Sequence, residues 1–211
     1  PDVQGKKAKI IVVLNNKTGV GFNGKVSIQA ESFNSEVSQK IKSKNVKVSC
    51  NSDNLQLVID YPMGNKMRLW SEFTPSLYKL SVRLKGSNGE LIDYLSVDFG
   101  MREFKTKGTR FEVNGQQVFI RGTLECCIFP LTGYPPANVD SWLKVLQTIK
   151  DYGLNTVRFH SWCPPEAAFI AADKLGVYFH IECSSWANQG TFLGVGGVID
   201  RYIYQESDKI L

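Results

Sequence analysis

The chain has 211 residues, 43% of them hydrophobic and 21% charged, with a formal net charge of +5. This is the composition of one or two soluble globular domains able to bury a core. No apolar segment approaches the roughly 20 residues needed to cross a membrane, so no membrane span is expected. The start, PDVQGKKAKI, lacks the apolar stretch and cleavage site of a signal peptide, and the N-terminus is read as cut, mature or internal.

The charge is uneven. Residues 1–103 carry 15 Lys+Arg against 10 Asp+Glu, whereas residues 104–211 carry 10 of each. The lysines of the first half are scattered through KAK, KIKSK and KVK and are not interleaved with aromatics. They read as a solvated β surface, and nucleic acid is not an expected partner. Five cysteines, with no CxxC pair, argue against a disulfide framework or a zinc site. Most are read as buried free thiols. There is no metal-ligand cluster, and GVGGV near the C-terminus follows no strand, so no metal and no cofactor are expected.

From Ala8 to about Glu103 the chain is a series of short alternating or apolar runs: AKIIVVL, GKVSIQA, NVKVSC, LQLVIDY, YKLSVRL and LIDYLSVDF. NNKTG, NSDN and KGSNGE separate them as turns. Strands at this spacing, without an amphipathic helix, predict an antiparallel β-sandwich. A domain boundary is expected between Gly100 and Arg110. FEVNGQQVFIRG then places Asn114-Gly115 between two apolar runs, a strong hairpin signal.

From Asn138 the period becomes helical. Val139, Trp142, Leu143, Leu146 and Ile149 form one apolar stripe, with Asn138 or Asp140 as cap and Gly153 as stop. Strand LNTVRFH follows, then a helix opening at Pro164-Pro165 and closing at Gly176, then strand VYFHIE. Alternating strands and helices with short connections predict parallel pairing in an α/β layer or barrel. Both strands end in polar groups, Arg158 and His160 in the first, His180 and Glu182 in the second. Residues of equal parity share a face, and in α/β barrels this C-terminal edge carries the active site.

RLWSEFTPSLYKLSVRL, VDFGMREF, FEVNGQQVFIRGT and GLNTVRFHSWCPPEAAFIAADKLGVYFHIE, in this order, closely resemble glycoside hydrolase family 2, the β-galactosidases, β-glucuronidases and β-mannosidases. The resemblance implies an immunoglobulin-like antiparallel β-sandwich over 1–103. Over 104–211 it implies the first part, about three of eight βα units, of a TIM (β/α)8 barrel. It further implies a carbohydrate substrate and a periplasmic or secreted bacterial location; association into a homo-oligomer is left open. The family's acid and nucleophile are glutamates after strand four and on strand seven. The chain stops at Leu211, in the predicted third helix, so no catalytic residue is expected within it.

The resemblance assigns Arg158 to a position beneath the catalytic centre, where a guanidinium holds carboxylates. It assigns Glu182 to the pocket at the end of the third strand, while His160 is read as a contact or nearby support for a sugar hydroxyl, or as a satisfied strand-end histidine. Trp162 and Trp186 follow the second and third strands, where they can stack on a sugar ring or pack the loops. Glu125 is the other carboxylate at a predicted strand end. Two motifs depart from the family: RGTLECC stands where RGVNxH is common, and RFHSWCPP puts His160 two residues after Arg158 where RxSHYP has its histidine at three. Trp70 and Trp142 are read as core. Cys126-Cys127 would need a histidine base to act as a nucleophile, and the spacing supplies none. A noncatalytic carbohydrate-binding or domain-organising module is the alternative function.

Overall fold

Alternating burial along the first half draws six antiparallel strands into two facing sheets. The computed structural model describes residues 1–183, 194, 196 and 199–210. They form two compact units, Pro1–Val118 and Phe119–Leu211.

In the first unit, β1 (Lys7–Asn15) pairs with β4 (Asn54–Pro62). The second sheet has the order β3 (Lys44–Cys50), β2 (Phe22–Phe33), β5 (Leu77–Gly86), β6 (Leu91–Phe99). Ala8 and Ile10 of β1 meet Ile59 and Tyr61 of β4 across from Val26, Ile28, Ala30, Val48 and Leu80. This is the period of two expected of strands with one buried face. Tyr61 and Tyr78 are fully buried, so their hydroxyls must find partners inside. The Tyr61 hydroxyl accepts from Ala30 N at 3.1 Å, and that of Tyr78 accepts from Arg68 N at 2.7 Å while donating to Gln39 Oε1 at 2.8 Å. Burial pushes both phenols upward, more than these backbone donors lower them.

A three-stranded meander completes this unit: β7 (Phe104–Lys107), β8 (Arg110–Val113) and β9 (Gln116–Val118). Asn114 and Gly115 connect β8 to β9 with φ of 53° and 77°, the positive values that a two-residue type I′ turn requires. Asn114 also ties the meander to its own unit. Its amide donates to Trp70 O at 2.9 Å and accepts from Glu103 N at 2.9 Å, and Trp70 is 1% exposed.

The second unit opens with β10 (Gly122–Glu125), followed by α1 (Val139–Asp151), β11 (Thr156–Phe159), α2 (Glu166–Leu175) and β12 (Tyr178–Ile181). A 3-10 turn (Ile199–Arg201) and α3 (Ile203–Ile210) come last. The three strands are parallel in the order β10, β11, β12. Asn138 Oδ1 accepts from Ser141 N at 2.9 Å and caps α1. Pro165 begins α2, and Gly176, at φ 74°, ends it. Asn155, 1% exposed, sits below the strands. Its Oδ1 accepts from Arg121 N and its Nδ2 donates to Phe119 O, at 2.8 and 2.9 Å, so one buried amide joins two chain segments.

Both helices cover one face of this sheet. Trp142 and Leu146 of α1 and the alanines of α2 at 167, 168, 171 and 172 pack on Val157 and Phe159. The small α2 side chains let that helix lie close to the strand. Arg158, between Val157 and Phe159, faces the other way with Leu124 and His180 beside it in register. Leu124 is 52% exposed, and no helix covers this second face among the described residues.

The expectation of mostly buried thiols is corrected. Only Cys50 is buried; Cys126, Cys127 and Cys163 are exposed and Cys183 is intermediate. Cys50 occupies a core-facing position of β3, whereas the other four follow strand ends, where alternation no longer directs a side chain inward.

Candidate active site

The parallel register sets the C-terminal ends of β10, β11 and β12 level: Glu125 pairs with Phe159, and Phe159 with Ile181. Continuing each strand by one residue brings His160 and Glu182 to the same edge. His160 N still donates to Glu125 O at 2.8 Å, extending the ladder.

Two of the expected residues meet directly. Arg158 Nε donates to Glu182 Oε1 in a close ion pair. Ser161 Oγ donates to the other oxygen, Oε2, at 2.9 Å. The carboxylate thus has a charged donor on one oxygen and a hydroxyl on the other. The hydrogen bond from Arg158 holds the Glu182 carboxyl below the usual carboxylate range, against the opposing effect of desolvation and with help from Ser161. A carboxylate held ionised in this way accepts hydrogen bonds and does not supply a proton near neutral pH.

The other residues behave differently. The Glu125 carboxylate turns into its own loop and accepts from Cys127 N at 2.9 Å and Ile128 N at 3.2 Å. It folds the chain after β10. His160 Nδ1 lies 3.9 Å from Cys126 Sγ. Trp162 joins the aromatic cluster, edge-on to Phe159 at 5.3 Å and to Phe129 at 6.5 Å between ring centres. Trp186 lies outside the described residues. Burial, with the negative Glu125 adding to it, pushes the Cys127 thiol up. Burial likewise pushes up Cys163. Neither thiol has the lowered pKa a cysteine nucleophile needs.

Sequence reasoning missed Ser161. The signal was in the comparison with RxSHYP, since the position three after Arg158, occupied there by histidine, is Ser161 here, and this is the residue that reaches Glu182.

Comparison with known proteins widens this picture. Residues 1–102 match the family described as glycosyl hydrolases family 2. A putative beta-glucuronidase of Formosa agariphila is 29% identical over 198 residues, covering 90% of this chain and 22% of the relative. A beta-galactosidase of Halalkalibacterium halodurans is 25% identical over 170 residues, covering 78% of this chain and 16% of its own length. Among solved structures, a family 2 member from Bacteroides cellulosilyticus superposes with TM-score 0.67 at 23% identity, over 83% of this chain and 22% of that one. Bacteroides uniformis beta-glucuronidase 2 does so with TM-score 0.69 at 18% identity, over 87% and 22%. The structural likeness speaks for the fold. The chain therefore spans about a fifth or less of the length of these relatives. The sandwich, residues 1–102, is thus matched by glycoside hydrolase family 2, and a relative described as a putative beta-glucuronidase runs on through the parallel strands.

Proposed function

We propose that this chain is part of a retaining β-glycosidase in which β10, β11 and β12 are the first three strands of a TIM (β/α)8 barrel. In this reading, residues 1–103 are the immunoglobulin-like domain and residues 104–211 begin the catalytic domain, whose opening β7–β9 meander shares the compact unit of the sandwich and whose first barrel strand is β10. The chain alone is inactive, because the acid and the nucleophile, whose carboxyls in such enzymes stand about 5–5.5 Å apart, belong to later strands. Limited proteolysis tests the partition: cutting near Lys105 or Lys107 with a surviving folded β domain is the expected result.

The observation that carries the proposal is the Arg158–Glu182–Ser161 cluster at the C-terminal ends of two adjacent parallel strands, on the face that no helix covers among the described residues. Parallel sheets are ordinarily covered on both faces, and closure into a barrel would cover this one with the remaining strands. The cluster would then lie inside the barrel mouth. Arg158 keeps N–H donors beyond the one given to Glu182, and these can orient a further carboxylate or a sugar hydroxyl. Glu182 serves as a fixed acceptor in the pocket and His160 as a contact to sugar. Glu125 shapes the adjoining loop, and Trp162 backs the strand end through Phe129 and Phe159. Relatives described as glucuronidase and galactosidase support a carbohydrate substrate.

Hydrolysis of aryl β-glycosides by the purified 211-residue chain and by a longer chain containing it tests this reading. Turnover by the longer chain alone is expected. Turnover by the short chain, abolished by Glu182→Gln or Glu125→Gln, would overturn it.

A further inference from the structure

On the outer face of the sandwich, the register of β3, β2 and β5 sets three lysines in one row: Lys47 opposite Lys25, and Lys25 opposite Lys85. Like charges directly opposite each other across strands oppose pairing. None of the three makes an ion pair among the described residues, although Lys7, Lys40 and Lys79 of the same unit do, with Asp60, Glu31 and Asp98. The contrast is sharpest on this one face. A few residues along the same strands, Glu31, Lys79 and Asp98 form a balanced row.

The residues paired on either side of the lysine row are polar or basic, and the Glu90 carboxylate, which lies beside Gly86, accepts from Asn88 Nδ2 at 2.9 Å. Asn23 and Ser49 pair on one side, with Ser87 Oγ donating to Asn23 O at 2.9 Å; Asn45, Ser27 and Arg83 pair on the other. Between Lys25 and Asn23 the strands present Val48, Gly24 and Gly86, of which Val48 is buried toward the core and the glycines carry no side chain. An open groove of about 550 Å³ lies here, lined by Lys25 and Lys47 of the row and by Asn23, Ser49 and Ser87.

We propose that this groove binds an acidic polysaccharide, whose carboxylate or sulfate groups complete the charge of the lysine row. Neighbouring strands about 4.8 Å apart space the lysines on the scale of one pyranose ring, and the amides and hydroxyls beside them suit sugar hydroxyls. No aromatic side chain lines the groove, so it lacks the stacking platform that single-stranded nucleic acids use. The inference does not depend on the active-site reading, because it concerns only the first unit.

The test is titration of the 211-residue chain with labelled polygalacturonate, with chondroitin sulfate, with neutral dextran and with an oligothymidylate. Measurements at about 50 and about 200 mM salt follow the ionic part of the binding. Polygalacturonate or the sulfated chain is expected to bind, more weakly at the higher salt, and the tighter of the two identifies the anion. The double variant Lys25→Gln/Lys47→Gln should lose about tenfold or more in affinity. Lys17→Gln/Lys66→Gln, which removes the same charge from exposed positions elsewhere, should bind as the wild type does. Circular dichroism and melting should show the groove variant folded and no less stable, since a repulsion has been removed. Full binding by the groove variant, equal losses in both double variants, or a preference for the oligonucleotide would each overturn the proposal.

Discussion

Within the four residues of β11, alternate positions do opposite work. Val157 and Phe159 are 1% and 0% exposed against α1 and α2, whereas the side chain of Arg158 between them is 50% exposed and paired with Glu182. The helix-covered face holds the second unit together by apolar burial, and the open face carries charged donors and acceptors on an already rigid strand. Stability and chemistry are thereby assigned to neighbouring residues that can be changed separately, which is what a site built on a scaffold strand requires.

The largest expected effect is on the covered face. Phe159→Ala removes a fully buried ring that touches Trp142, Trp162 and Phe179, and it should destabilise the second unit by about 3–5 kcal/mol. Thermal or denaturant unfolding of that unit measures it. A loss below about 1 kcal/mol would mean that this face is not the structural one.

A buried polar group that serves structure sharpens the contrast. Tyr61→Phe leaves Ala30 N without its acceptor inside the sandwich and should cost about 1–3 kcal/mol. Because burial raises the Tyr61 and Tyr78 phenols in the folded state, their contribution is complete below the ordinary phenol value of about 10 and is lost as pH rises through the folded one. Alkaline titration of the sandwich melting temperature should show that decline, and Tyr61→Phe should make it shallower.

On the open face, Arg158→Ala should change stability by less than about 1 kcal/mol, since the Arg158 side chain is half exposed. The smallest effect is the dependence of that pair on acid. The Glu182 pKa is depressed in the folded state, so its contribution is present above the ordinary carboxylate range and disappears as pH falls below it. The small melting difference between wild type and Glu182→Gln at neutral pH should therefore close in acid. A difference that grows in acid would contradict the assigned pair.

Much of this division is legible in sequence because alternation and helical period report which side of an element is apolar. The six sandwich strands, α1 with its Asn138 cap, α2 between Pro165 and Gly176, and the Asn114-Gly115 turn all follow from local signals, as do the buried Trp70 and Trp142. What escapes is decided by partners distant in the chain. The bond from Ser161 to Glu182 joins residues after different strands. Trp162 is drawn to Phe129 and Phe159, and Glu125 to its own loop amides, choices that strand-end position alone leaves open. Cys126, Cys127 and Cys163 lie in loops, where hydrophobic character does not determine burial. Lys25, Lys47 and Lys85 look scattered in sequence, and only the register of three strands makes them a row.

The central claim is that the open face of β10–β12 carries the sugar site of a longer enzyme while the covered face carries stability. Its most direct test is the kcat/KM of Arg158→Ala in that longer enzyme on an aryl β-glycoside, measured beside its melting temperature. The account predicts a fall of about a hundredfold or more with melting nearly unchanged. Unaltered kinetics, or a kinetic loss explained entirely by unfolding, would contradict it.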